Sequence, residues 1–225
     1  MLHLLDNPIW NGLISGNSHL ANGTDEVRYF DQEVSPLIGM KEYSQDNFDT
    51  LHRLITEDRT LVMLTAFDVT VPPQWRLIRN IKILQMVFNG DVSDEDQQFT
   101  ALQKQHVPAM LALTKLTNPG PFAERTIEFG NYEGIFVDNE LAAMAGQRTQ
   151  PRPYIEVSAV CTYPDHHGKG YAGKLIKSQI HQITAQSCTP FLHVRSDNDT
   201  AIGLYQKLGF DIRTEIHFNT IRKNQ

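Results

Sequence analysis

The stretch YIEVSAVCTYPDHHGKGYAGKL, residues 154–175, decides how this sequence is interpreted, because it joins an apolar run to a glycine-rich loop. Gly168, Gly170 and Gly173 have the G-x-G-x-x-G spacing of dinucleotide-binding loops. Gly168, Gly173 and Lys174 nearly have the G-x-x-x-x-G-K-[ST] spacing of nucleoside triphosphatases. Both spacings predict a loop that binds phosphate, but in different classes of protein.

Neither nucleotide motif is complete. Leu175 follows the lysine where a triphosphatase needs a hydroxyl group for magnesium. Residues 164–167 separate the strand from the first glycine, and only one further strand and helix remain to complete a dinucleotide-binding sheet. The two motifs share backbone N–H groups that surround an anion at a helix N-terminus. The loop is therefore predicted to bind an anion such as pyrophosphate, and a simple tight turn is the alternative.

The composition indicates a globular protein whose partners are small molecules. The chain has 225 residues, of which 40% are hydrophobic, enough for one good core or two small ones. A formal net charge of -6 argues against binding to nucleic acid or to anionic membranes. Cys161 and Cys188 form neither a disulfide framework nor a metal-binding spacing, so we expect no metal. The N-terminus lacks the pattern of a secretory signal, which predicts a cytoplasmic location.

Pro72 and Pro73 exclude helix and predict a boundary near residue 74. The boundary divides an N-terminal α/β segment, residues 1–74, from a larger domain, residues 75–225. The N-terminal segment carries apolar periodicity but no recognisable motif. Its role is left open by the sequence.

The first half of the larger domain reads as a strand, a helix and a hairpin. Apolar residues predict one long strand over 75–88 and a helix over 97–116 that Pro108 kinks or splits. Asp138 and Asn139 separate two further strands and tolerate the left-handed backbone of a hairpin turn.

The last seventy residues predict a regular succession of elements. After the glycine loop, apolar residues recur at spacings of three and four over 172–183, which predicts a helix with one buried face. A strand follows, then a short helix capped by Asp197 or Asn198 and ended by Gly209, and a final alternating strand. The order is strand, glycine loop, helix, strand, helix, strand.

Two motifs in this succession resemble those of the GNAT acetyltransferases, most closely their FR47-like branch. The family's (Q/R)-x-x-G-x-(G/A) loop is matched by His167, Gly168, Lys169, Gly170, Tyr171 and Ala172. Its later signature is matched by Asn198, Tyr205, Gly209 and Phe210. His167 stands where Gln or Arg is usual, and we expect the change to be tolerated because this position chiefly offers its backbone. The resemblance is sharpest over 154–212.

The resemblance implies a fold and a co-substrate. The implied fold is α/β (α+β), a mixed and mainly antiparallel sheet that splays at residues 155–162 and is flanked by helices. The implied co-substrate is acetyl-CoA, with its phosphates on the glycine loop and with Asn198 among the binding residues. The backbone of Val160, Cys161 and Thr162 is implied to pair with the pantetheine arm and to polarise the thioester carbonyl.

The resemblance also implies two catalytic residues. Tyr205 corresponds to the family's general acid, which protonates the leaving thiolate. Glu156 matches the glutamate that serves as base in histone-acetylating members, and an ordinary exposed strand residue is the alternative interpretation. If Glu156 is the base, desolvation beside an apolar thioester is expected to raise its pKa above the value of about 4.3 for free glutamate.

The sequence thus predicts an N-acetyltransferase that moves an acetyl group from acetyl-CoA to a primary amine of a small molecule or peptide. Transfer of a larger acyl group is one alternative, because the FR47-like branch also resembles glycine acyltransferases. A non-catalytic acyl-CoA sensor is another, and a homodimer is compatible with either reading. The sequence does not name the acceptor.

Overall fold

The structure is a computed structural model that describes residues 3–92 and 99–224. Eleven strands are present in this part of the chain: β1 Ala21–Gly23, β2 Val27–Phe30, β3 Ile38–Met40, β4 Leu61–Thr65, β5 Trp75–Phe88, β6 Thr100–Ala101, β7 Glu133–Val137, β8 Glu140–Gln147, β9 Tyr154–Thr162, β10 Thr189–Arg195 and β11 Phe210–Lys223. Five α-helices accompany them: α1 Pro8–Leu13, α2 Gln45–Leu54, α3 Val107–Thr117, α4 Tyr171–Thr184 and α5 Asp199–Lys207.

One large sheet organises the molecule. Its eight strands lie in the order β4, β11, β5, β10, β9, β8, β7, β6, and its neighbours are antiparallel except for β9 and β10, which are parallel. A second sheet contains β1, β2 and β3. The predicted fold class, a mixed and mainly antiparallel sheet with flanking helices, is confirmed.

The N-terminal segment shares the large sheet and its core. Strand β4 pairs along β11, with Leu64 opposite Phe218. Ile9 and Phe30 belong to the same buried apolar cluster as Met144 of β8. The boundary near residue 74 stays a prediction, and the segments on its two sides share one continuous core.

The two faces of the large sheet are covered differently. Helix α4 packs on one face through Ile176, Ile180 and Ile183, against residues such as Val157 of β9. The other face is covered by α3 and by the N-terminal segment. The junction of β9 and β10 therefore lies between α4 on one face of the sheet and α3 with the N-terminal segment on the other face.

Most predicted elements of the larger domain are confirmed, and one is wrong. The strand over 75–88 is β5, and the hairpin turns at Asp138 and Asn139, whose φ values are 50° and 66°. The helix predicted over 97–116 begins only at Val107, and its first two residues lie outside the described part of the chain. Pro108 occupies the first turn of α3, where a missing N–H costs no hydrogen bond, so it starts the helix and does not kink it.

Candidate active site

The sheet opens between β9 and β10. These parallel strands pair only from Tyr154 opposite Thr189 to Glu156 opposite Phe191. Beyond Phe191, β10 continues to pair with β5, while β9 continues to pair with β8. A wedge-shaped opening therefore begins after Glu156, as the predicted splay at residues 155–162 requires.

A β-bulge shapes the free arm of β9. Ala159 has a left-handed backbone with φ of 52°, and the pairing with β8 shifts between Met144 opposite Cys161 and Gly146 opposite Ser158. Two residues of β9 thus oppose one residue of β8, which leaves a backbone irregularity beside the opening. Val160 is the second residue of the bulge, and Cys161 and Thr162 follow it on the arm.

The glycine loop has the backbone that the phosphate-binding prediction needs. Gly168 and Gly170 have φ values of 77° and 76°, a left-handed conformation that residues other than glycine adopt at a cost. Gly170 is the N-cap of α4, and no side chain caps this helix end. The first N–H groups of α4 are therefore available to an anion, and the helix dipole favours negative charge there.

Side chains of the glycine loop contact one another and the end of β9. His167 lies with its Nε2 3.0 Å from the carbonyl oxygen of Thr162, which ties the loop to the end of β9. Lys169 Nζ lies 2.7 Å from Nδ1 of His166. Tyr171 begins α4, and Ala172 follows it in the first turn. The predicted loop residues 167–172 thus form one continuous turn into the helix.

Tyr205 lies on α5, and Asn198 immediately precedes this helix. Asn198 caps the helix, its Oδ1 accepting from the N–H of Ala201 at 3.1 Å. Burial raises the pKa of Tyr205 to about 12, and the nearby Cys161 adds to the increase. Tyr205 is therefore protonated at neutral pH, as a proton donor must be. Burial likewise raises the pKa of Cys161 to about 11, so its thiol is not activated as a nucleophile.

Glu156 lies at the apex of the opening, the point where the pairing of β9 with β10 ends. Its side chain is fully buried. Its Oε1 accepts from Arg148 Nη2 at 2.6 Å and lies 2.7 Å from His193 Nδ1. Its Oε2 accepts from Arg148 Nε at 3.0 Å and from the hydroxyl and N–H of Thr149 at 2.6 Å and 3.3 Å. Both oxygens are fully used, so Glu156 is a buried and paired carboxylate.

The expected direction of the Glu156 pKa shift is wrong. Burial raises the pKa, as expected, but the positive charge of Arg148 and the hydrogen bonds from Arg148 and His193 more than offset burial and hold the pKa well below its usual range. The sequence suggested desolvation alone because Arg148 and His193 lie on other strands or loops and were not recognised as partners. The interpretation of Glu156 as an exposed strand residue is also wrong, since the side chain is buried.

Gln85 of β5 fixes the protonation of His193. Gln85 Oε1 accepts from Arg213 Nε at 2.5 Å. The assignment of the oxygen is fixed because a guanidinium nitrogen can only donate. The Gln85 amide nitrogen therefore donates to the Leu5 carbonyl and to His193 Nε2, both at 3.0 Å. His193 Nε2 must be the acceptor, so its proton lies on Nδ1 and is donated to Glu156.

The network continues into the N-terminal segment. Arg213 Nη2 donates to Asp6 Oδ1 at 2.6 Å. Asp6, Arg213, Gln85, His193, Glu156 and Arg148 thus form one chain of hydrogen bonds. Residues from both sides of the predicted boundary near residue 74 complete the surroundings of the apex.

Known proteins share sequence and fold with this chain. The family model described as "FR47-like protein" matches residues 132–219. A crystal structure of a GNAT-family acetyltransferase from Novosphingobium aromaticivorans is 34% identical to this chain, covers 100% of both chains, and superposes with a TM-score of 0.92. The chain belongs to the GNAT family.

More distant matches agree in fold. A GCN5-related N-acetyltransferase from Kribbella flavida is 12% identical, covers 96% of this chain and 95% of its own, and has a TM-score of 0.63. A curated acetyltransferase of Yersinia pestis is 36% identical over 55 residues. That match spans 24% of this chain and 39% of the curated relative. In residues 3–92 and 99–224, no helix is long and apolar enough to cross a membrane.

The GNAT motifs did not reveal every residue at the apex. Arg148, His193, Gln85 and Arg213 carry most of its polar contacts, and none belongs to a motif recognised in the sequence. Only His193 gave a signal, as the single titratable residue between apolar neighbours in the strand around residues 190–194. The described residues contain no group of three His, Cys, Asp or Glu side chains that could hold a metal ion.

Proposed function

We propose that this GNAT-family protein transfers an acetyl group from acetyl-CoA directly to a primary amine. The observation that carries the proposal is the opening between β9 and β10 beside an uncapped, glycine-rich helix N-terminus. The opening suits an extended pantetheine arm, and the helix N-terminus suits the pyrophosphate of coenzyme A. Gly168, Lys169, Gly170 and Tyr171 would offer the backbone groups nearest to that pyrophosphate.

The thioester would lie along the free arm of β9. Backbone N–H groups of Val160, Cys161 and Thr162 are the donors proposed to pair with pantetheine and to stabilise the negative charge that develops on the carbonyl oxygen. The bulge at Ala159 supports this role, because it turns backbone groups of β9 away from β8.

Acetyl transfer is the proposed reaction, and transfer of a larger acyl group is the alternative. Turnover of longer acyl-CoA thioesters faster than acetyl-CoA would favour the alternative.

Tyr205 is proposed to protonate the thiolate of coenzyme A. Its raised pKa keeps the proton on the phenol until it is needed, and its position beside Cys161 places it near the arm of β9. A hydroxyl that donates at this point would contribute to the departure of the leaving group.

Glu156 is proposed to position Arg148 and His193 and not to act as the base. Its five hydrogen bonds leave no free lone pair for an ammonium group. Protonating His193 at Nε2 would oppose two donors, since Gln85 also donates there. We therefore propose that the acceptor amine loses its proton to water.

Two measurements test this function together. Isothermal titration should detect acetyl-CoA binding, and thiol release should accelerate when a reactive amine is added. The rate should rise with pH until the amine itself is deprotonated, at a pKa of about 10 for an alkylamine. Acetyl-CoA binding without turnover of any amine would favour the alternative of a non-catalytic sensor, and a rate that levels off near neutral pH would restore a protein base.

A further inference from the structure

A cavity of about 450 Å³ lies on the sheet face that carries His193, away from α4. It adjoins the apex of the opening, because His193 and Arg148 line it together with Val194 and Arg195 of β10. The loop 119–121 forms another wall, and the N-terminal segment contributes Pro36, Thr60 and Val62. A cavity of this volume suits a small organic molecule.

The floor of the cavity is apolar. Ile81 and Ile83 of β5, Phe218 of β11 and Val62 of β4 lie side by side across three neighbouring strands. An alkyl or aromatic chain that lies on these residues is removed from water, which favours its binding. The floor therefore selects for an apolar body in the acceptor.

The charged residues that line the cavity are of one sign. Arg79, Arg148 and Arg195 line it, and among the described residues that line it there is no Asp or Glu. The chain as a whole has 26 acidic against 20 basic residues, so the cavity departs from the character of the protein. Arginine suits the recognition of carboxylate and phosphate groups.

The three arginines differ in how far their charge is already neutralised. Arg148 is paired with Glu156, and Arg195 is paired with Asp197 two residues away. Arg79 has no ion-pair partner within residues 3–92 and 99–224. It is thus the arginine of the cavity most available to a bound anion.

The positions of these residues along the strands set the distance between the apex and a bound anion. His193 lies opposite Gln85 of β5, and Arg195 lies opposite Ile83. Arg79 is six residues before Gln85, which corresponds to about 20 Å of strand. An anion between the side chains of Arg79 and Arg195 would lie near the level of Ile81, on the order of 10 Å from the apex, with Ile83 between the anion and the apex.

We propose that the acceptor is a small molecule with a primary amine at one end, an apolar chain in the middle, and a carboxylate or phosphate group at the other end. The amine would reach the apex at His193, the chain would lie on Ile81, Ile83 and Phe218, and the anion would bind Arg79 with help from Arg195. This inference rests on the proposed acetyl transfer and adds the class of acceptor to it. It also gives the N-terminal segment a role, as one wall of the acceptor site.

Thiol release from acetyl-CoA tests the proposal with matched amines. We expect 8-aminooctanoate, or 8-aminooctylphosphonate, to be acetylated with a kcat/KM at least tenfold above that of octylamine. Whichever of the two anions is preferred identifies the terminal group. Within the aminocarboxylates, the eight-carbon compound should exceed the four-carbon compound, because the short one cannot span the floor.

Variants identify the residue responsible. Arg79→Gln should lower kcat/KM for the anionic amine at least tenfold more than for octylamine, and so remove the preference. Lys82→Met is the matched control, because Lys82 lies on the same strand and pairs with Glu215 at 3.0 Å outside the cavity. It should keep the preference.

The outcomes distinguish a failure of the proposed acceptor class from a failure of the proposed acetyl transfer. Octylamine turned over as well as the anionic amines, or a preference that Arg79→Gln leaves intact, would overturn the acceptor class while acetyl transfer stands. Absence of acetyl-CoA binding by the wild-type protein in titration calorimetry would overturn the proposed function itself.

Discussion

The two sides of the opening in the sheet are built in different ways. The side with the glycine loop is made of backbone, from a single stretch that runs from Tyr154 to Thr184. The side with the apex and the cavity is made of side chains, and its network joins Asp6 to Arg213 across 207 positions of the sequence. The first side is recognisable as a motif, and the second exists only once the chain is folded.

Because of this contrast, we expect the two sides to tolerate different substitutions. A backbone site depends on φ and ψ, so it is disturbed chiefly where a glycine or the helix start is changed. A side-chain network depends on every partner, because a buried polar group that loses its partner carries the full cost of desolvation. We therefore expect substitutions at the apex to affect stability, and substitutions at the loop to affect binding.

The largest effect is expected for Glu156→Gln. This change leaves the buried Arg148 without its counter-charge, which should lower the free energy of unfolding by about 3–5 kcal/mol. Urea denaturation measures the loss, and Glu215→Gln, which removes one partner of the exposed pair with Lys82, should cost far less. A Glu156→Gln protein as stable as wild type, with activity that recovers only above about pH 9, would reinstate Glu156 as the base.

The next effect in size is expected for Tyr205→Phe. The ring packs 6.1 Å from that of Phe210, and the substitution keeps this packing while it removes the proton donor. The turnover number should fall roughly ten- to a thousandfold, with acetyl-CoA affinity nearly unchanged. Steady-state kinetics and calorimetry on the same preparation separate the two quantities. An unchanged turnover number would assign the proton to water.

At the loop, Gly170→Asp should weaken coenzyme A binding by roughly ten- to a hundredfold, or about 1.4–2.8 kcal/mol. A Cβ atom at Gly170 meets nothing within 4 Å, so the effect should come from the strained φ of 76° and from the added negative charge and not from a clash in the fold. Gly203→Ala, in α5, is the matched control because space is also open there and no left-handed φ is required. Equal affinities by calorimetry would disprove the loop assignment.

The smallest effect is a pH dependence of stability at the apex. The folded pKa of Glu156 is held low by Arg148 and His193, so its contribution to stability is complete above the unfolded value of about 4.3 and is lost as pH falls below it. The stability difference between wild type and Glu156→Gln should therefore narrow below about pH 4, by up to about 1.4 kcal/mol per pH unit. Denaturation at pH 3, 4, 5 and 7 measures it. A difference that stays constant from pH 7 to pH 3 would contradict the depressed pKa.

The parts of this protein that depend on local conformation could be predicted from the sequence. The apolar run over 75–88, the turn at Asp138 and Asn139, and Gly168 and Gly170 before α4 all specify backbone geometry within a few residues. Such preferences act between neighbours in the chain, so they can be seen in the letters alone. Together with the family motifs, they were sufficient to predict the GNAT fold.

The environment of Glu156 and the charge of the cavity arise only when the chain has folded. The sequence placed Glu156 on a strand, but its partners Arg148 and His193 reach it from a neighbouring loop and strand. The charge of Arg148 and the hydrogen bonds of both residues reverse the pKa shift that burial alone would give. Arg79 and Arg195 come together across β5 and β10, which are separated by a hundred residues of chain. Electrostatic interactions depend on distance in space and not on separation in sequence, so their outcome is fixed only when the sheet has formed.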